Sequence, residues 1–479
     1  MGCFVTNYQR HRIWWPLSLA VLILLALALS WAGYIASDDG LYYEGARHWV
    51  DHGPFAGDSH WTTRFPVILA FAAAILTFGK GFAAFWATSL LFYLLVIAIS
   101  GLFTAQIATR RAGWIAAMLV GTLPVIASNG SIVNCDLPED LFLLAGAWLV
   151  LTARKDYSAV AAGLCWGLAI LCRETAILSL AGVGVLFLLG KPIARRTLLL
   201  AAFGAVLVFS AETTFQYIMT GDPLHRYSLA LHHDSHIDRA ANLEGNFLVH
   251  PIVDPLLVLL INNDFGLLFW VLIPAVIGLG GGLRALKLRR AAALLGCMAT
   301  ANFLFIAVAF KLLVLNPRYF SFAAIVAAIF VAIWLSRLAS PRWPIVLAGF
   351  VITNLGLLSL QDGHPQWAAE AYSRAVVEHP DQKLVTDADT LRRAGLYLQF
   401  SGRNDTAVGA PKRDTDYFSK DEHALAHASI IARYPKPDRP AIALLKATGV
   451  FPVLPNAVQR RLATNGTTPT LWHIERSAR

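Results

Sequence analysis

The stretch S-D-D-G-L-Y-Y-E-G-A, residues 37–46, opens a polar segment that runs on to T-T-R at residues 62–64. It follows directly on the first long apolar run, Ile13 to Ile35. Asp38 and Asp39 therefore emerge at the edge of hydrocarbon, where charges are costly unless they have a task or a partner. The rest of the chain reads as a device that holds this loop, with a few basic residues, over a lipid-facing cavity.

Composition points the same way. Of 479 residues, 57% are hydrophobic and only 14% charged, against about 25% charge in soluble domains. Apolar runs of roughly 20 residues recur, so the expected class is a polytopic α-helical membrane protein. The net charge of +9 fits cytoplasmic loops of such a protein. No basic run is interleaved with aromatic residues, which argues against a nucleic-acid partner. Five cysteines, at 3, 135, 165, 172 and 297, show no zinc-site spacing and leave the C-terminal region without a disulfide framework. All but Cys135 read as small packing residues. The first apolar run is too long for a signal peptide and lacks a small-residue cleavage site, so a retained helix is expected.

Charge placement orders the spans. Arg10, His11 and Arg12 precede the first helix and put the N-terminus in the cytoplasm, with the Asp38 loop outside. The run Phe65–Phe78 is short for a span and suits a helix lying along the surface. Continuing in this way gives about eleven spans over residues 1–360. The run Ala112–Ala127 leads outward to a second polar loop, N-G-S-I-V-N-C-D-L-P-E-D, residues 129–140. Ala159–Leu171 and Thr175–Leu189 form a hairpin with Arg173 and Glu174 at its outer tip, and residues 221–263 form a long outer stretch. Nearly all basic clusters fall inside; the exceptions are Arg64, Arg173, Arg226, Arg239 and Arg318. Residues 361–479 turn polar and are long enough for a compact α/β domain on the outer face. Helices are expected near 366–378 and 390–400, and strands near 383–385, 429–432 and 470–473. No internal repeat is visible.

Three outer acids, Asp38, Asp39 and Asp136, share a side with the exceptional arginines. A carboxylate can take the proton of an acceptor hydroxyl as it attacks. Arginines can hold a phosphate leaving group and take up its developing charge. Each residue also has a plain structural role open to it. Asp38–Asp39 fits a wet helix terminus. Asp136, ahead of Pro138 and Glu139–Asp140, fits an N-cap. Arg173 fits a partner of Glu174 or a snorkelling side chain. Arg318–Tyr319 fits an interfacial anchor. The run His232-His233-Asp234-Ser235-His236 has contiguous spacing, a weak metal signal.

Taken in order, these pieces resemble the GT-C glycosyltransferases. D-D-G-L-Y-Y-E-G-A is similar to their D-E-x-x-Y-x-x-x-A first loop. The closest likeness is to the bacterial branch of lipid A aminoarabinose transferases and relatives of protein O-mannosyltransferases. T-R-F-P-V-I resembles their basic residue and proline before a surface helix. C-D-L-P resembles the second-loop aspartate, L-C-R-E-T-A-I-L the short hairpin, H-I-D-R a later-loop segment, and N-P-R-Y-F the motif opening a late helix. The resemblance spans roughly residues 13–340.

That resemblance implies inverting transfer of a sugar from a polyprenyl-phosphate donor to a lipid, glycan or protein acceptor at the outer face of a bacterial inner membrane. It implies Asp38 as principal catalytic carboxylate, with Asp39 and Asp136 assisting or binding the acceptor. Arg64, Arg173, His236, Arg239 and Arg318 would bind donor phosphate, and Tyr42, Glu139 and Tyr319 would line the site. Asp39 stands where Glu is commoner, and Arg64-Phe65-Pro66 replaces the usual Lys-Pro-Pro. Some relatives use a divalent cation, the one cofactor kept in view, although the sequence offers no clear metal-ligand set. Competing readings are a transporter or flippase of a lipid-linked substrate, an O-antigen-ligase-like polymer transferase, and a scaffold for the C-terminal region. A transporter tends to show inverted repeats and mid-membrane charges, whereas here Glu212 is the nearest thing to a buried acid. No Gly-rich nucleotide loop appears.

Overall fold

The computed structural model describes residues 3–153, 155–232, 253–280, 285–309, 316–339, 341–403, 407–412, 414–420, 427–463 and 468–474. The chain is a helical body followed by a small sheet region. Helix α1 (Cys3–Ser30) is followed by an irregular turn and then α2 (Asp38–His52), α3 (Phe65–Phe78) and α4 (Phe82–Ile107). The polar stretch after the first apolar run is thus not all loop. Helix α2 buries Tyr42, Tyr43 and Ala46 on one face, positions three and four apart that a helix brings together.

Helix α3 keeps the expected bounds. Pro66 sits in its first turn and Gly79 ends it at φ 84°, the usual order of Pro at the start and Gly past the end. Its 14 residues reach only about 21 Å, short of the roughly 30 Å of hydrocarbon. The run expected as one span over Ala112–Ala127 is instead a bent pair. Helix α5 (Arg110–Thr122) stops before Pro124, and α6 (Pro124–Ala127) leads into a 3-10 turn, with a bend of 65°. Proline has no N–H for the ladder and forces its predecessor, here Leu123 at ψ 124, out of the helix.

Then come α7 (Asp136–Thr152), α8 (Asp156–Cys172), α9 (Ala176–Leu189), α10 (Arg195–Thr220) and α11 (His225–His232). Helices α8 and α10 cross in close contact. A Cβ on Gly163 would lie 1.7 Å from the Ala201 carbonyl oxygen, so only glycine permits that approach, a common device between membrane helices. Residues 233–252 lie outside the described residues, and with them His236, Arg239 and most of the histidine run. The chain resumes with α12 (Asp254–Ile261), α13 (Leu268–Leu279) and α14 (Leu286–Ala309). The turn Pro317–Phe320 leads into α15 (Ser321–Arg337), which is buried along most of its length, and α16 (Arg342–Leu358) follows.

Among the described residues, three helical segments can cross a membrane by length and composition: α4, α10 and Pro317–Arg337, or four if the bent pair counts as one span. Six shorter apolar helices accompany them. The chain is membrane-embedded, but length alone does not establish the eleven spans expected from charge.

All described strands lie after α16. Helices α17 (Trp367–Glu378) and α18 (Ala388–Phe400) pack with β1 (Leu384–Thr386), β2 (Ala407–Val408), β3 (Thr415–Ser419), β4 (Ala428–Arg433) and β5 (Thr470–Ile474). The strand order is β2-β1-β3-β5-β4, parallel around β1 and antiparallel around β5. Short helices α19 (Pro440–Ala447) and α20 (Asn456–Leu462) lie between β4 and β5. The three expected strands appear within one or two residues; β2 and β3 were not expected. Helix α18 sits on the start of α2. Tyr397 donates from its hydroxyl to the Tyr34 carbonyl at 2.8 Å, and Phe400 meets Phe82 edge to face at 4.9 Å. The sheet region therefore braces the segment that carries Asp38.

Candidate active site

Asp38 and Asp39 open α2 side by side, yet they face different ways, because adjacent helical residues point about 100° apart. Asp39 turns inward and is fully buried. One carboxylate oxygen accepts the Ile35 N–H at 2.7 Å, and the other accepts the Ser37 and Gly40 N–H groups at 2.8 and 3.0 Å. Ala36, between two of these donors, is held at φ 50. A left-handed residue lets neighbouring N–H groups converge on one anion, at a conformational cost met by the surroundings. Asp39 thus shapes the turn, and its burial keeps it off the open side. Asp38 is one-third exposed, and its Oδ2 lies 3.7 Å from Nη1 of Arg318.

Burial pushes the Asp39 carboxyl up to about 6, against the pull of the three amides and with the charge of Asp38 adding to the rise. An acid raised in the folded state gives stability that is full at low pH and lost as pH climbs, here from about 3.8 to about 6. The thermal midpoint in detergent is expected to fall across that window. An Asp39→Asn protein is expected to lack this component; an identical pH profile would show that Asp39 is ionised throughout.

Asp136 starts α7, but the cap comes from Asn134. Its side-chain oxygen accepts the N–H groups of Asp136 and Leu137 at 3.0 and 3.2 Å. The Asp136 carboxylate is therefore released from capping and pairs with Arg173, whose Nη1 also lies 3.7 Å from Glu139. Arg173 stands 4.1 Å over the ring of Tyr319, and Arg318 approaches the same ring at 5.9 Å. Asp38, Asp136, Glu139, Arg173, Arg318 and Tyr319 thus share one polar centre, although they come from four separate parts of the sequence.

Arg64 lies behind this centre. It caps the start of α3 and is 6% exposed. It donates to the hydroxyl of Tyr42 and to His60, and to Cys135 Sγ at 3.2 Å. Tyr42 is buried against it. The structure thus places Arg64 and Tyr42 inside the wall and not on its open side.

Glu174 does not pair with Arg173, its neighbour. It pairs with Arg226, a fully buried residue. Arg226 donates to Glu174 Oε1 from Nε at 3.0 Å and from Nη2 at 2.6 Å, to Thr63 O at 2.8 Å and to Ile170 O at 3.1 Å. Burial works to raise the Glu174 carboxyl, but Arg226, aided by Arg64 and His60, outweighs it and holds the group down at about 2. Sequence reasoning marked Arg226 only as a base on the unexpected side. Its partners lie 52 to 163 positions away, so nothing local could reveal its role. Asn134 and His60 were missed as well, although an Asx residue just before an acidic helix start is a readable capping signal.

Among the described residues no group of three or more His, Cys, Asp or Glu could hold a metal ion. Of the first-loop acids, Asp39 is buried and spends its carboxylate on three backbone amides, which leaves Asp38 as the open one.

Residues 62–214 match the family model of dolichyl-phosphate-mannose-protein mannosyltransferases. That segment holds Arg64, Asp136, Glu139 and Arg173. In fold the chain is similar to ArnT from Cupriavidus metallidurans in the apo state, with a TM-score of 0.59, 15% identity, and 83% of this chain and 86% of that one covered. The same protein bound to undecaprenyl phosphate gives 0.56 at 15% identity, covering 81% and 76%. The Archaeoglobus fulgidus oligosaccharyltransferase in complex with Zn and sulfate gives 0.53 at 13% identity, covering 81% of this chain and 62% of that one. No curated protein matches the chain in sequence. The fold is the GT-C fold that the motifs resemble.

Proposed function

We propose that this GT-C-fold chain is an inverting glycosyltransferase that moves a sugar from a polyprenyl-phosphate donor to a hydroxyl or phosphate acceptor at the outer face of a bacterial inner membrane. The observation that carries the reading is the exposed carboxylate of Asp38 facing Arg318, beside the Asp136–Arg173 pair. The mannosyltransferase-family segment and the fold shared with a protein that binds undecaprenyl phosphate support it.

In this reading Asp38 takes the acceptor proton as the acceptor oxygen bonds to the anomeric carbon from the face opposite the phosphate. The bond from that carbon to the phosphate oxygen breaks, and polyprenyl phosphate leaves. Arg318 and Arg173 receive the charge that develops on the leaving group, with Tyr319 between them and Asp136 and Glu139 orienting Arg173. Arg64 supplies a fixed positive charge from behind. His236 and Arg239 remain proposed phosphate ligands. Residues 1–360 form the catalytic body with its eleven spans, the N-terminus is cytoplasmic, and residues 361–479 form a periplasmic domain that braces the Asp38 turn. A glycolipid such as lipid A, a polysaccharide or a protein would be the acceptor.

The test is donor turnover by the full-length protein in nanodiscs, with a panel of polyprenyl-phosphate sugars and a bacterial lipid extract as acceptor. Release of polyprenyl phosphate with one donor is the expected result. Binding of polyprenyl phosphate without release from any donor would favour the flippase reading.

A further inference from the structure

The end of the body opposite the acids carries a second arrangement. Helix α4 starts beside α2 and the Asp38 turn and runs about 39 Å away from it, ending at Ile107. Helix α5 begins there with Arg110 and Arg111. Between α1, α4 and α5 lies a groove of about 890 Å³. Its walls are apolar, with Leu19, Ala98, Leu102 and Ala105 among them, and both arginines stand at its edge.

Three features set the depth and charge of that edge. Trp15 stacks on Trp114 at 6.4 Å and on Trp343 at 5.8 Å, and Arg111 caps the row 4.6 Å over Trp343. Tryptophans gather at the headgroup level of a bilayer. Neither arginine meets a carboxylate among the described residues: Arg111 donates only to the Leu338 carbonyl, at 3.1 Å, and Arg110 is exposed with no described partner. The first N–H groups of α5 add the positive end of a helix at the same place. An apolar trough with two uncompensated cations at headgroup depth matches one ligand chemistry, an acyl chain with an anionic head. Basic pockets between membrane helices on the cytoplasmic side bind such lipids.

We propose that this groove holds one anionic phospholipid, its acyl chain lying along α1 and α4 and its headgroup phosphate between Arg110 and Arg111. The arginine edge of the groove lies at the far end of α4 from the sugar-transfer centre, and the proposal is independent of that reading. A surface contact of this kind gains roughly fivefold in affinity per arginine.

The test is native mass spectrometry of the full-length protein in mild detergent, offered equal amounts of phosphatidylglycerol and phosphatidylcholine with the same acyl chains. Wild type is expected to retain phosphatidylglycerol several-fold over phosphatidylcholine. Arg110→Gln, at an exposed position, is expected to cut that preference about fivefold. Ala98→Trp fills the groove from an exposed wall position and is expected to lower retention of both lipids. Equal retention by wild type, an unchanged preference in Arg110→Gln, or unchanged retention in Ala98→Trp would each overturn the proposal. Displacement of the lipid by millimolar inorganic phosphate would overturn it too, by assigning the arginines to a soluble anion.

Discussion

Asp38→Asn is expected to slow sugar transfer by about 10²–10⁴-fold, the usual worth of a positioned general base, while the thermal midpoint stays at the wild-type value. The two halves of that expectation have separate physical grounds. The carboxylate is one-third exposed and accepts no backbone hydrogen bond among the described residues, and its nearest described cation, Arg318, is 3.7 Å away. An amide of the same shape therefore disturbs little that holds the chain together. It cannot take a proton, however, so the acceptor must attack as a neutral hydroxyl. Donor binding is expected to persist, because the phosphate ligands proposed above do not include Asp38. The measurement is single-turnover release of polyprenyl phosphate, with donor affinity followed separately. The neighbouring change Asp39→Asn makes the contrast. Asp39 binds three amides, so its replacement moves stability first and transfer only through the altered turn. Equal turnover by Asp38→Asn and wild type would remove Asp38 as the base and leave Asp136 as the next carboxylate of the cluster.

The different fates of two adjacent aspartates mark the limit of what the sequence discloses. The D-D pair, its place after an apolar helix and the short helix at Phe65–Phe78 were all legible, because periodicity and proline and glycine punctuation are local signals. Which acid turns inward depends on the left-handed Ala36 and on the first turn of α2, and that helix hides in a stretch rich in glycine, histidine and aspartate. The Asp136 cluster was legible in part. Its residues were named, but the cap was given to Asp136 when Asn134 provides it, and Arg173 was offered to Glu174 when it serves Asp136. Alternation alone could not expose β3, whose burial on most positions is only partial. The family resemblance implies Arg64 as a phosphate ligand. The fold turns it inward, because α2 and the Cys135 loop close over it with a hydroxyl and a sulfur for its guanidinium.

Arg226→Met is expected to be the most disruptive single change away from the open site. Arg226 ties together three segments: Glu174 at the tip between α8 and α9, the Ile170 carbonyl in α8, and the Thr63 carbonyl next to Arg64. Removing one partner of a buried pair leaves an uncompensated charge, which costs about 3–5 kcal/mol. Proton linkage gives a similar figure. Glu174 drops from 4.5 to about 2, which is worth about 3 kcal/mol at neutral pH. A depressed acid contributes stability that is present above about 4.5 and lost as pH falls towards about 2, so Arg226→Met should lose that acid-side dependence together with its midpoint. Activity tells positioning from mere stability. The double change Arg226→Met with Glu174→Gln removes the stranded charge and is expected to recover most of the thermal midpoint. It leaves the Thr63 and Ile170 carbonyls without their donor, so Arg64 and Arg173 stay loosely held, and a displacement on the order of 1 Å at such groups costs about 10²-fold. Turnover should therefore remain low with a raised KM for the donor. Arg226→Lys keeps a charge but cannot reach Glu174, Thr63 and Ile170 at once, and is expected to fall with the double variant in activity and above the single one in stability. Full activity in a stable double variant would show that Arg226 serves the fold alone and has no part in holding the arginines over the site.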